Sequence, residues 1–296
     1  MQLFWIGLFY AAYFGFVGLY SPFLGPYLKS VGHSLDVIAV SLGMMQVMRI
    51  FGPFIWGWVA DKSEKQIVWM RLGSGLGLLF SVLAMLNSES AFWLILFIVF
   101  LNFSISGLVP LSDSYAMACC DGEAGRYGKV RLFGSVGFVF TVIGFGAWAD
   151  WFGFSAYPLW VWIALLGTVV AALQFRYPNS DQEVKASHSQ KSGGTQSRLL
   201  FATREIRLFW LASFFMIFAH GVFYAYFSLY LQEYEYSESI IGSLWAVGVI
   251  LEIIFFATQG RLYGRFSHLN WLRLSFLACV VRFGLIALFP EYLWVL

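Results

Sequence analysis

Six ionisable side chains, Arg49, Asp113, Arg131, His220, Glu252 and Arg282, stand inside stretches that are otherwise apolar. A charge held in hydrocarbon is costly unless it is paired or hydrated, so each marks a place where a polar ligand, a proton or a partner side chain is handled. The clearest constellation is Leu108 to Phe138, LVPLSDSYAMACCDGEAGRYGKVRLFGSVGF. Asp113 and Arg131 each lie nine residues from the polar turn at Gly122. In an antiparallel helix pair they therefore reach similar depth and can meet. At 1.5 Å per residue, Asp113, Arg131 and Glu252 sit about 8 to 14 Å from the nearest basic end of their stretch, and Arg49, Arg282 and His220 about 17 to 20 Å. The competing reading is that these charges form buried ion pairs that hold helices together and touch no ligand. For His220, between Ala219 and Gly221, a hydrogen bond to a neighbouring helix competes with a role as a proton site.

The elements that must position these groups are membrane spans. At 60% hydrophobic, 20% aromatic and 11% charged residues, the 296-residue chain has too little polar surface to cover a water-soluble globule. Apolar runs of spanning length fall at roughly 3–28, 35–60, 66–86, 91–118, 127–149, 156–176, 207–232, 238–260 and 270–289. This predicts nine helices in the lipid bilayer. A tenth is expected to begin at Tyr292, and the sequence stops at Leu296 inside an apolar run, so the chain is expected to be cut short. The first run lacks a basic leader and a small-residue cleavage site and is expected to stay as a span.

Of the 18 lysines and arginines, 15 fall in the even-numbered connections, against Lys29 alone in the odd ones. The asymmetry places the N-terminus and the even connections in the cytoplasm. The same distribution excludes a nucleic-acid-binding stripe. The polar stretch Asn179 to Ser197 reads as a flexible linker. It gives an N-terminal six-helix half (1–176), a cytoplasmic linker (177–206) and a partial second half (207–296). An offset of 203 aligns Tyr27 with Tyr230, Ser34 with Ser237, Ile38 with Ile241 and Gly57 with Gly260, and pairs Arg49 with Glu252; an offset of 202 aligns Trp69-Met70-Arg71-Leu72 with Trp271-Leu272-Arg273-Leu274. This is an internal repeat. Same-orientation repeats about a membrane-normal axis are one plan of transporters that bind substrate at the midplane.

Within the turn Gly57-Trp-Val-Ala-Asp61-Lys62, glycine is expected to let the second and third spans approach closely. The carboxylate can meet a helix N-terminus or a base in one conformation and release it in another. Gly134, Gly137, Gly144 and Gly146 on the fifth span suit close packing. Tyr10, Tyr13, Phe16, Tyr224 and Tyr226 are candidates to line a pocket for a ring-bearing substrate. Cys119, Cys120 and Cys279 have no zinc spacing. No phosphate loop, metal-ligand spacing or paired nucleophile and base is present, so the sequence predicts no enzyme, no cofactor and no metal.

These residues resemble the major facilitator superfamily. Gly57-x-x-x-Asp61-Lys62 is similar to that family's loop motif between helices two and three, although Ser63-Glu64-Lys65 departs from its usual ending. Pro110-x-x-Asp113, Arg131-x-Phe133-Gly134-x-Val136-Gly137, Glu252 and Arg282 resemble the lactose permease class of proton symporters. Leu108-Val-Pro-Leu111 and Tyr127-Gly-Lys-Val-Arg131-Leu132 resemble its phenylpropionic acid permease branch. The resemblance implies an all-α polytopic membrane protein with nine complete helices of an expected twelve, acting as a monomer in the cell inner membrane. It implies symport of a proton with a small organic substrate, expected to be an aromatic monocarboxylate held by Arg131 or Arg49. Asp113, Arg131 and Phe138 belong to the implied substrate site, Glu252, Arg282 and His220 to proton coupling, and Gly57, Asp61 and Lys62 to conformational gating. Phe138 stands where the sugar permease has a stacking tryptophan, which argues against a sugar. The alternatives are a sugar or nucleoside symporter, a non-transporting membrane sensor, and an inactive truncated fragment of a transporter.

Overall fold

The computed structural model describes residues 1–176, 203–262 and 267–293. All the regular structure among them is helical: α1 Gln2–Ser30, α2 Leu35–Ser63, α3 Gln66–Leu86, α4 Ala91–Ser106, α5 Leu108–Cys119, α6 Ala124–Phe152, α7 Tyr157–Leu173, α8 Arg204–Glu233, α9 Glu238–Leu262 and α10 His268–Leu288. Helices α4 and α5 together form the fourth span, Ala91–Cys119. The nine expected spans are therefore all present, eight of them long and apolar enough to cross a bilayer and α7 shorter. The expected 177–206 linker lies outside the described residues up to 202. Its last residues are helical, because Thr203 caps α8 by accepting a hydrogen bond from Ile206 N, and the helix starts at Arg204.

The repeat is visible in the helix boundaries. Leu35 and Glu238, the first residues of α2 and α9, are 203 positions apart. Both ends of α3 and α10 are offset by 202, Gln66 to His268 and Leu86 to Leu288.

Helix α1 is the centre of the bundle. Of its apolar stretch 56% is buried, against 6% for α8 and α10, and it packs against α6, α7 and α8. Phe9, Tyr10, Phe16, Leu19, Tyr20, Phe23 and Leu24 are all within 1% of full burial. The break in the fourth span falls at Gly107, three residues before Pro110. Proline has no N–H to donate, and a break at membrane depth persists only where freed carbonyls find partners. Here Trp56 Nε1 donates to Phe103 O at 2.7 Å and Ser106 Oγ donates to the same oxygen at 2.7 Å. Arg71 on α3 closes the far end of α7, donating to Ala172 O, Leu173 O and Phe175 O, a cation on a helix C-terminus.

Two glycine expectations divide. A Cβ on Gly137 would run into the backbone oxygen of Ala11 on α1, and one on Gly146 would stand 2.6 Å from Glu238 O on α9; Gly134 faces Phe14 at 2.8 Å. Gly144 meets only the Trp160 ring at 3.5 Å, an ordinary contact. Gly57 corrects the sequence reading: nothing lies within 4 Å of a Cβ there, so it mediates no close approach of α2 and α3. The close approaches of α2 are made instead to the fourth span, where Gly52 faces Ser106 and Trp56 packs on Gly107.

The end of the bundle opposite the basic turns is sealed. Asp150, near the end of α6, accepts hydrogen bonds from Glu238 N at 2.7 Å, from Ser239 N at 3.2 Å and from the Ser239 hydroxyl, so its carboxylate caps α9. Beside it Lys29 pairs with Glu233 at 2.7 Å, joining α1 to α8. The close approach of Gly25 to Leu229 and of Gly242 to Val142 O continues the seal inward.

Candidate functional site

A cavity of about 1090 Å³ lies between α1 and α6 on one side and α8, α9 and α10 on the other. On α6 its lining runs from Gly125 to Phe138 and no further. It thus begins at the basic α5–α6 turn, where Gly125, Gly128 and Lys129 are exposed, and ends short of the sealed end.

The α5–α6 turn is built by Asp121 and Gly122, both in the left-handed region at φ 56 and 79. Glycine favours that conformation, and the tight return sends α6 back alongside α5. The two expected partners are brought together as a result. Arg131 Nε stands 3.6 Å from Asp113 Oδ1, with both side chains about one-third exposed. Tyr10 from α1 completes the group, its hydroxyl donating to the same carboxylate oxygen at 2.6 Å. The Arg131 guanidinium lies 4.0 Å from the Phe14 ring centroid and 5.0 Å from that of Tyr10. Two aromatic faces and one carboxylate therefore hold a single cation. Phe138 is buried and lines the inner end of the cavity.

The opposite wall carries Glu252 from α9 and Arg282 from α10. The Arg282 guanidinium sits 4.5 Å over the Phe223 ring. Phe223 stacks on Phe227 at 4.3 Å, and Tyr224 stacks on Trp245 at 5.7 Å. Trp245 is fixed by donating to Ser228 Oγ at 3.0 Å.

The remaining expected residues lie elsewhere. Arg49 is half-buried, with Nη2 3.5 Å from Ser21 Oγ on α1, and does not line the cavity. Its carboxylate-holding role is not supported by position, because the side chain turns to α1 and not to the space between the halves. His220 Nδ1 is 2.8 Å from Met216 O on its own helix, and its ring packs edge-on to Phe283. Asp61 and Lys62 are exposed at the end of α2, with Lys62 Nζ 5.0 Å over Trp58. Of the candidate aromatics, Tyr224 lines the cavity and Tyr10 supports it, whereas Tyr13 and Phe16 belong to the core. Tyr226 is exposed and does not line this cavity. Sequence reasoning missed Phe14, Phe223, Phe227, Trp245 and Asp150. Phe14 was within reach, since it stands one helical turn from Tyr10.

The Asp113–Arg131 pair yields a double-mutant prediction. Asp113→Ala and Arg131→Ala each strand a charge in a low-dielectric wall. The double variant is expected to show a transport defect no larger than the worse single variant, measured as initial uptake rate at matched protein density. Additive defects would mean that the two side chains act separately.

The profile of the MFS_1 like family matches residues 3–296. The chain is 31% identical over 292 residues to a "Probable 3-phenylpropionic acid transporter" of Escherichia coli (strain K12), covering 99% of this chain and 76% of that protein. It is 28% identical to a maltose permease of Geobacillus stearothermophilus, over 97% of this chain and 71% of the permease. Among solved structures, that of the nucleoside transporter NupG superposes with a TM-score of 0.75 at 16% identity, over 99% of this chain and 76% of that one. With nine spans, a cavity between them and a match along nearly its whole length, the chain belongs to the MFS_1 like family and is a multi-pass membrane transporter of the major facilitator type.

Proposed function

We propose that the protein is a proton symporter of a small aromatic monocarboxylate, 3-phenylpropionate or a close analogue, acting as a monomer in the inner membrane. The observation that carries this reading is a single cavity that puts cations, a carboxylate unpaired among the described residues and an aromatic wall in reach of one ligand. An aromatic acid needs each of these. Its ring gains by burial against fixed aromatic faces, and its carboxylate needs a guanidinium in a site poor in water. A proton on Glu252 removes a negative charge that repels the anion, so that binding of proton and of substrate favour each other. Asp113 and Arg131 form the first-half wall of the substrate site, with Phe138 at its inner end. With both ligands bound, the two sets of helices rock about the cavity. Asp61 and Lys62 at the α2–α3 turn act in that motion.

The test is uptake of labelled 3-phenylpropionate into proteoliposomes under an inward proton gradient, beside protein-free liposomes that measure passive entry of the neutral acid. Saturable uptake above that background, abolished by collapsing the gradient, is expected. A second reading, carriage of a sugar or nucleoside, draws on the maltose permease and NupG likenesses. Gradient-driven uptake of maltose or uridine, with none of the aromatic acid, would replace the first reading with the second.

A further inference from the structure

Three arginines stand within the membrane zone as candidates to hold the substrate carboxylate, and the geometry separates them. Arg49 does not reach the cavity. Arg131 reaches it already paired with a counter-charge, Asp113 at 3.6 Å, and lies against the ring faces of Phe14 and Tyr10. Arg282 differs from both. It lines the cavity, and among the described residues no carboxylate lies within ion-pair distance of it. Its partner is the face of Phe223 at 4.5 Å. A ring face attracts a cation without neutralising it, and it leaves the edge of the guanidinium free for the two oxygens of a carboxylate.

The surroundings of Arg282 suit the rest of such a substrate. Phe223 contacts Trp245 at 5.7 Å, and Tyr224 stacks on the same indole. Tyr224 and Trp245 line the cavity with Arg282, and the Trp245–Ser228 hydrogen bond fixes the orientation of the wall. A guanidinium at the end of a rigid aromatic wall is complementary to a molecule with a carboxylate at one end, a ring at the other and a short flexible spacer. Glu252 lines the same cavity from the neighbouring helix α9, so its negative charge opposes the entry of a carboxylate.

We infer that Arg282 receives the substrate carboxylate and that the Tyr224–Trp245 wall receives the aromatic ring, which makes these residues the determinants of specificity for aryl-alkanoate anions. The inference rests on the aromatic monocarboxylate reading above.

The experiment is calorimetric titration of the purified protein with three probes: 3-phenylpropionate, the uncharged 3-phenylpropan-1-ol, and hexanoate, which has the charge without the ring. Arg282→Gln is expected to weaken 3-phenylpropionate binding at least about tenfold while moving the alcohol by less than about twofold. Trp245→Leu is expected to weaken both aromatic probes and spare hexanoate. Arg131→Gln is expected to keep the preference of acid over alcohol. Equal losses for acid and alcohol in Arg282→Gln, or loss of the acid preference in Arg131→Gln alone, would overturn the assignment. If Arg282→Gln does not give folded protein, Arg282→Lys decides: it keeps the charge and loses the fork, so an acid-selective weakening supports the assignment and an unchanged acid affinity overturns it. Wild-type protein that neither binds nor carries any aromatic acid removes the functional reading and this inference with it. Wild-type protein that carries the acid, with Arg282→Gln binding it equally well, removes the inference alone.

Discussion

Glu252→Gln is expected to reduce proton-driven accumulation of substrate to simple equilibration while preserving exchange of labelled for unlabelled substrate across the membrane. Glu252 stands on α9 in the cavity wall, and among the described residues no cation lies within ion-pair distance of it. Glutamine matches the shape and neutrality of the protonated acid but cannot release a proton. The loaded carrier can therefore still move, and no longer returns a proton to each side in turn. For one proton carried with one monoanion, a gradient of one pH unit supports about tenfold accumulation, each factor of ten corresponding to about 1.4 kcal/mol. The variant's internal-to-external ratio is expected to fall to about one once passive entry is subtracted. A variant that still accumulated substrate with the wild-type dependence on the gradient would place the proton elsewhere.

Gly137→Ala is expected to be the most damaging single methyl in the described bundle. The added Cβ would collide with Ala11 O, a backbone atom of the most buried helix, so neither a rotamer change nor a flexible side chain can relieve it. Overpacking a rigid contact costs about 1 to 3 kcal/mol, and separating α1 from α6 to relieve it sacrifices close packing, the principal attraction between helices in lipid. The same substitution at Gly144 meets only the edge of Trp160 at 3.5 Å and is expected to be nearly neutral. Thermal unfolding of the two variants in detergent measures the contrast. Equal melting temperatures for Gly137→Ala and Gly144→Ala would mean that the α1–α6 contact is looser than described.

The contrast between these two glycines also shows what a sequence can reveal. Span number and order were legible because each span is set by its own apolar run, and the proximity of Asp113 and Arg131 was legible because it depends only on a short turn and the rise of a helix. The direction a side chain takes around its helix was not. Arg49 and Glu252 occupy equivalent places in the repeat, yet one turns to α1 and the other to the cavity. Gly57 was misjudged for the same reason: a glycine permits close approach, and the neighbouring helix decides whether it occurs. The capping role of Asp150 was not legible, because the backbone it caps lies 88 residues further along the chain. Trp245 was hidden among the chain's 13 tryptophans, its importance given by Tyr224 and Ser228 on another helix.

The seal built from Asp150 on the first turn of α9, with Lys29–Glu233 beside it, has a consequence for how the two sides of the membrane perceive one binding site. A ligand arriving from the basic end finds the cavity standing open and binds with the site's intrinsic dissociation constant. A ligand arriving from the other side can bind only in the fraction of molecules whose seal is broken, and its apparent dissociation constant is the intrinsic one divided by that fraction. If one molecule in about a hundred is open, the same residues bind the same substrate about a hundredfold more weakly from the sealed side. A carboxylate outside the cavity thus helps to set the ligand concentration at which the site fills from the sealed side.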